Sequence, residues 1–179
     1  CIVPNAGMRP LKQYKRLKMD KKTQETMFSS KTPEWETPQE LYDRLNESWN
    51  FTLDPCCTKE TAKCETFFTK DDDGLSQDWQ GHRVFMNPPY GRGMHVWLEK
   101  AYREGLKKDT TVVCLVPSRT DTKWFHDYCM KAQSIRFIKG RLKFGNATAG
   151  APFPSMLVIF NGREPATMYG TPTIYSHRR

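Results

Sequence analysis

The chain has 179 residues, 28 Lys and Arg against 20 Asp and Glu, and a formal net charge of +8. That length suits one domain with a real core and leaves little room for a second. A composition 37% hydrophobic with five Trp argues against wholesale disorder, and the longest apolar run, Val112–Val116, is far too short to span a bilayer. The charge is uneven along the chain: residues 1–31 hold eight Lys/Arg and two Asp/Glu, 32–130 twelve against seventeen, and 131–179 eight against one, Glu164. Two basic ends therefore flank an acidic middle. Such blocks point to a polyanionic partner or, more blandly, to solvated tails. Cys1–Pro10 carries no apolar stretch of the secretory kind, so a cytosolic setting is expected. The six cysteines then read as reduced thiols, and Cys56, Cys57 and Cys64 lack the paired CxxC spacing of a zinc site.

In chain order, residues 1–31 form a basic arm without sustained apolar periodicity, expected to be flexible. A single domain is expected over 32–179. Thr37-Pro38-Gln39-Glu40 predicts a helix start, with Thr37 as cap, Pro38 in the first turn and Glu40 completing a capping box. Leu41, Leu45 and Trp49 give that helix one apolar face. Phe51–Leu53 predicts a short strand ending in Asp54-Pro55, Glu65–Thr69 a second, and Val84–Met86 a third, stopped by a double proline. Met94, Trp97, Leu98 and Ala101 predict a second helix, and Thr110–Val116 a buried strand. Asp121 or Thr122 can cap a third helix carrying Phe125 and Tyr128, and Ser134–Ile138 and Ser155–Phe160 predict the last strands. Strands alternating with helices imply an α/β sandwich with a mostly parallel sheet, whose ligands sit beyond the carboxyl ends of the strands.

Two predicted strands end in chemically loaded turns, Asp54-Pro55-Cys56 and Asn87-Pro88-Pro89-Tyr90. Prolines carry no N–H, so the second turn presents acceptors unopposed by donors. The side-chain oxygen of Asn87 and the carbonyl of Pro88 can accept both hydrogens of one exocyclic amine. That localises a lone pair otherwise delocalised into the ring, stabilising charge that develops only in the transition state. Tyr90 offers a flat face on which an extruded base can stack. The competing view is a rigid strand-to-helix turn with Tyr90 as a core aromatic.

Taken together, Glu34-Trp35-Glu36-Thr37-Pro38, Phe51-Thr52-Leu53-Asp54-Pro55-Cys56, Asp73-Gly74-Leu75 with Trp79, and Asn87-Pro88-Pro89-Tyr90 resemble the small phage-type Dam family of S-adenosylmethionine-dependent DNA adenine-N6 methyltransferases. Trp97 with Lys100-Ala101, Leu115–Arg119 and Gly140–Phe144 extend the likeness over roughly Thr32 to Phe160. The resemblance implies a Rossmann-like methyltransferase sandwich with an antiparallel C-terminal strand and no separate target-recognition domain. It implies methyl transfer to the N6 amine of a flipped adenine, with Asn87, Pro88, Pro89 and Tyr90 as the catalytic turn and no metal required. Trp35, Thr37 and Pro38 would hold the cofactor's amino-acid end near a helix N-terminus. Asp54, Pro55 and Cys56 stand where the broader pattern has a Gly-rich loop over the cofactor, and would bind it, with Asp54 at its methionine end. For the ribose and adenine, Asp71, Asp73 and Asp78 compete, with Asp73 and Asp78 leading and Trp79 or Phe68 against the ring; Asn87 borders the same site. The Asp71–Asp73 run is also readable as a solvated turn.

Arg136, Lys139, Arg141 and Lys143 fall on the predicted C-terminal strand pair, and Arg92 and Arg119 just after their strands. Arg92, Arg119, Arg141 and Lys143 are the candidate DNA contacts, neutralising phosphates beside a flipped base; a Lys- and Arg-protected sheet edge is the alternative. DNA is the expected partner, in the host cytoplasm if phage-encoded, with no membrane association; monomer and homodimer both remain open. Cytosine-N4 and RNA-base amines are the nearest rival substrates, and an inert basic DNA-binding module is the rival from another class.

Overall fold

The computed structural model describes residues 35–162, so the expected N-terminal arm and residues 163–179 lie outside the described part. Helix α1 (Gln39–Trp49) leads to strands β1 (Leu53–Asp54), β2 (Thr66–Phe67) and β3 (Arg83–Met86). Helix α2 (Met94–Gly105), strand β4 (Thr111–Pro117) and the short helix α3 (Lys123–Asp127) follow. Strands β5 (Ser134–Phe137) and β6 (Ser155–Phe160) complete a six-stranded sheet of order β2-β1-β3-β4-β6-β5. β2, β1, β3 and β4 run parallel, and β6 pairs antiparallel with both β4 and β5. The fold is the expected α/β sandwich, mostly parallel with an antiparallel C-terminal pair.

Strand alternation divides the core into two layers. Val84 and Met86, Val112, Cys114 and Val116, and Met156, Val158 and Phe160 pack against Met94, Leu98 and Ala101 of α2 and Phe125 of α3. Phe85, Val113, Leu115, Leu157 and Ile159 face the other way, onto Leu41, Tyr42 and Leu45 of α1 and onto Leu142, Phe144 and Phe153 from the β5–β6 connection. Every residue of β6 and all but the first of β4 are buried, which explains their unbroken apolar runs. A Cβ on Gly105 would stand 2.4 Å from that of Phe160, so glycine is what lets the end of α2 approach β6 this closely.

The start of α1 departs from expectation. Its N-cap residue is Pro38, whose carbonyl accepts from the N–H groups of Leu41 and Tyr42 at 3.1 Å. No side chain caps this helix, because the Thr37 hydroxyl bonds elsewhere, to Asn87. Thr122 likewise occupies the N-cap of α3 while its hydroxyl donates to the Arg119 carbonyl. The basic segment also differs. Strand pairing stops at Phe137↔Met156 and Gly140 takes φ +84, so Arg141 and Lys143 lie in a connection rather than on strands. There they are exposed, alternating with buried Leu142 and Phe144.

The chain leaves β1 for β2 on one side and returns through β3 to β4 on the other, making the β1/β3 boundary the topological switch point. Asp54 ends β1 and Asn87 follows β3 at this crevice, where open α/β sheets bind ligands. The Pro117↔Ser155 pairing brings the β5–β6 connection to the same edge.

Candidate active site

Pro88 and Pro89 cannot donate to the ladder, so β3 ends at Met86 and Asn87 is released into the cleft. Its Nδ2 donates to the Trp35 carbonyl and, at 2.9 Å, to the Thr37 hydroxyl. The other end of the same amide, Oδ1, is buried with no protein partner. A buried acceptor left open is costly in a stable fold and marks a place where a ligand donor belongs. Pro89 lines the cleft beside it, while Pro88 is buried behind.

Asp54 forms the cleft floor. It is buried, and its two oxygens accept from the backbone N–H groups of Cys56 at 3.4 Å and Lys63 at 3.2 Å. Burial raises its carboxyl from 3.8 to about 6, with those N–H bonds opposing the rise. It is therefore ionised at neutral pH and poised to attract a cation. Burial also pushes the Cys57 thiol up to about 12 and the Cys56 thiol well above the ordinary range. Neither is a thiolate nucleophile at neutral pH. The five described cysteines are free thiols, and no metal-binding group of three or more His, Cys, Asp or Glu forms among the described residues.

The cleft holds about 590 Å³ and is lined by Trp35, Thr37, Asp54, Pro55, Cys56, Asp73, Gly74, Asn87 and Trp97 among others. Its far wall is set by close packing. A Cβ on Gly74 would fall 2.0 Å from the Pro55 carbonyl oxygen, so only glycine allows the Asp73–Gly74 turn to seat on the Asp54–Cys56 loop. Trp79 Nε1 donates to the Gly74 carbonyl at 3.0 Å, and the Trp79 backbone N–H donates to Glu104. Glu104 is buried and also pairs with Lys100 and Lys107. Burial works against its charge, but the bonds from Lys100, Lys107 and Trp79 hold its carboxyl below the ordinary value.

Several expected site residues lie elsewhere. Trp79 is wholly buried, stacked 6.4 Å from Trp97, and supports the cleft wall from behind rather than facing a ligand. Asp78 lies outside the cleft on the exposed surface, its carboxylate paired with Lys107 at 2.6 Å. Asp73 and Asp71 line the cleft. Phe68 is half-buried against the core beside the cleft rather than lining it. Pro38 caps α1 outside the cleft. Tyr90 does not line it either: its ring stacks on Trp35 with centroids 6.3 Å apart and meets Phe144 and Phe153 edge-on, while its hydroxyl donates to the Leu115 carbonyl. The aromatic residues that line the cleft are Trp35, Phe85 and Trp97.

Arg92, Arg119, Arg141 and Lys143 are exposed. Gly145 N–H donates to the Glu36 carbonyl at 2.8 Å, docking the connection that carries Arg141 and Lys143 onto the Trp35–Thr37 segment. Arg136 is set apart, its guanidinium over the Trp49 ring at 5.7 Å. Lys63, Glu104 and Phe153 carry no motif signal. For Glu104 one clue was available, an acid on the apolar face of α2 four residues after Lys100.

The sequence profile of the "DNA N-6-adenine-methyltransferase (Dam)" family matches residues 24–176. The chain belongs to the Dam family. Among its Dam-family relatives is a DNA N-6-adenine-methyltransferase of Haemophilus phage HP1 (strain HP1c1), 34% identical over 146 residues, covering 76% of this chain and 82% of that protein. A DNA N-6-adenine-methyltransferase of Escherichia phage T1 is 28% identical over 110 residues, covering 60% of this chain and 45% of its own length.

Proposed function

We propose that this Dam-family protein transfers a methyl group from S-adenosylmethionine to the N6 amine of adenine in DNA, acting on a base turned out of the duplex. The observation carrying this reading is the buried, unpartnered Asn87 Oδ1 beside the cleft at the switch point. Family membership supports the substrate class.

The residues present fit the cofactor. The cleft volume of about 590 Å³ falls within the roughly 300–1,000 Å³ usual for small-ligand sites. Asp54 would meet the ammonium of its methionine end, Asp73 its ribose hydroxyls, and the Trp35 and Trp97 rings supply aromatic surface suited to a cation. When bound, S-adenosylmethionine supplies an electrophilic methyl on a sulfonium. The chain's own contribution is placement and polarisation. Asn87 Oδ1 accepts an amine hydrogen and draws charge as the amine becomes a nucleophile. Asn87 is an amide and does not titrate, so it holds that hydrogen without becoming a base. The Trp35 ring offers the flipped base a stacking face. Exposed Arg92, Arg119, Arg141 and Lys143 at the same edge would meet phosphates.

Incubation of DNA with methyl-labelled S-adenosylmethionine, followed by nucleoside analysis, tests this reading. Label in N6-methyladenine is expected; label confined to N4-methylcytosine, RNA or protein would overturn it.

A further inference from the structure

We infer that Thr37, together with the Trp35 carbonyl, is a positioning residue that fixes the Asn87 amide with its oxygen toward the target amine. The inference rests on the functional reading above and deepens it. It concerns a choice that side-chain shape alone leaves open. The oxygen and nitrogen ends of an Asn amide are nearly isosteric and exchange by a half-turn of the terminal torsion. Only one orientation can accept a hydrogen from an exocyclic amine. The other presents an NH₂ group, which opposes the amine's own hydrogens.

The Trp35 carbonyl decides the orientation and the Thr37 hydroxyl anchors the amide in it. The Trp35 carbonyl, which can only accept, faces Nδ2 and excludes an oxygen there. Thr37 Oγ1 accepts the second Nδ2 hydrogen at 2.9 Å, so both hydrogens are engaged by the Trp35–Thr37 segment. Oδ1 is then left buried and open. Reversing the amide would lose the bond to the Trp35 carbonyl and set two carbonyl oxygens against each other, while the Thr37 hydroxyl, able to donate as well as accept, holds the amide in place.

Thr37 is available for this because it is not a helix cap. Pro38 occupies the N-cap position, and α1 has no side-chain cap. The Thr37 hydroxyl, itself on a buried residue, spans fifty positions of sequence to Asn87. The segment bearing it is pinned in turn. Gly145 N–H holds the Glu36 carbonyl at 2.8 Å, and the Trp35 ring packs edge-on against Phe144 and Phe153 at 5.3 and 5.0 Å. A rigid strap therefore aims the amide. This differs from a role for Thr37 in holding the cofactor.

The test compares Thr37→Val, which keeps the shape and removes the hydroxyl, with Thr37→Ser, which restores it. In the first, kcat should fall roughly tenfold to a hundredfold, the scale of a small misplacement at a reacting centre. Cofactor Kd by calorimetry should stay within about twofold, and Thr37→Ser should recover most of the rate. In the free protein, the Asn87 side-chain amide signal in NMR, assigned by its loss in Asn87→Ala, should show slowed proton exchange. That slowing should be lost in Thr37→Val and kept in Thr37→Ser, whatever the activity. A Thr37→Val enzyme with unchanged kcat and amide exchange would overturn the inference alone. So would one with weakened cofactor binding and unchanged kcat, which would assign Thr37 to the cofactor. A wild-type protein forming no N6-methyladenine would instead overturn the functional reading on which the inference rests.

Discussion

Asn87 and Asp54 divide the chemistry between an amide that cannot titrate and a carboxyl that can. Replacing Asn87 with Ala removes the buried acceptor and should abolish turnover while cofactor binding largely survives; wild-type transfer rates in that variant would sink the mechanism. Asn87→Asp should fail too despite its matching size, because a carboxylate has no hydrogen to give the Trp35 carbonyl. For Asp54, the carboxyl lies near 6, so its attraction for a cationic amino group is present above that pH and lost below it. Cofactor Kd should loosen by up to about tenfold per pH unit on the acid side, and Asp54→Asn should flatten that dependence; calorimetry from neutral to acid pH measures both. Its effect on stability has the opposite sign. Between the ordinary 3.8 and about 6 the folded chain keeps a proton that the unfolded chain has released, so Asp54's contribution falls as pH rises through that window.

At the scale of elements, the cleft depends on two loops seated directly on each other. The Asp73–Gly74 turn sits on the Pro55 backbone and hangs from Trp79, itself anchored to Glu104 on α2. Gly74→Ala must move one loop off the other, at about 1–3 kcal/mol for overpacking, lowering the thermal midpoint and weakening cofactor binding together. Trp79→Phe keeps most of the ring volume but loses the bond to the Gly74 carbonyl, worth about 1 kcal/mol. It should loosen cofactor binding as well as stability, and an unchanged Kd would reduce Trp79 to packing alone. Strand and helix positions were legible because their periods are local: β6 matches its expected span, and α2 carries the expected Met94, Leu98 and Ala101 face. The expected cap at Thr37 fails because a hydroxyl that suits an N-cap equally suits a distant amide, and only packing decides between them.

At the scale of the whole molecule, the described basic residues of the β5–β6 connection stand beside the cleft. The antiparallel turn-back of β6 brings Arg141 and Lys143 to the side of the sheet where Asn87 emerges, and the Gly145–Glu36 bond ties their loop to the cleft rim. Replacing both with Ala should weaken DNA binding and flatten the dependence of log affinity on log salt by about two, near 0.9 per phosphate contact. An unchanged slope in a titration over salt concentration would return these residues to the role of a solvated, protected surface. Arg136 should contribute little, since its guanidinium is engaged with Trp49.

Local chemistry in the sequence determines the α/β order, the two loaded turns and the alternating charge blocks, because each is written within a few neighbouring residues. It also places Asn87 and Asp54 at strand ends, where the general behaviour of α/β sheets puts ligands. Only the tertiary structure decides which atoms meet. It puts Trp35 rather than Tyr90 on the cleft, removes Asp78 to a surface ion pair, buries Trp79 as a support and joins Thr37 to Asn87. Those outcomes depend on contacts between segments far apart in the chain, where the geometry of packing, and not residue preference, chooses among partners of equal chemical aptitude.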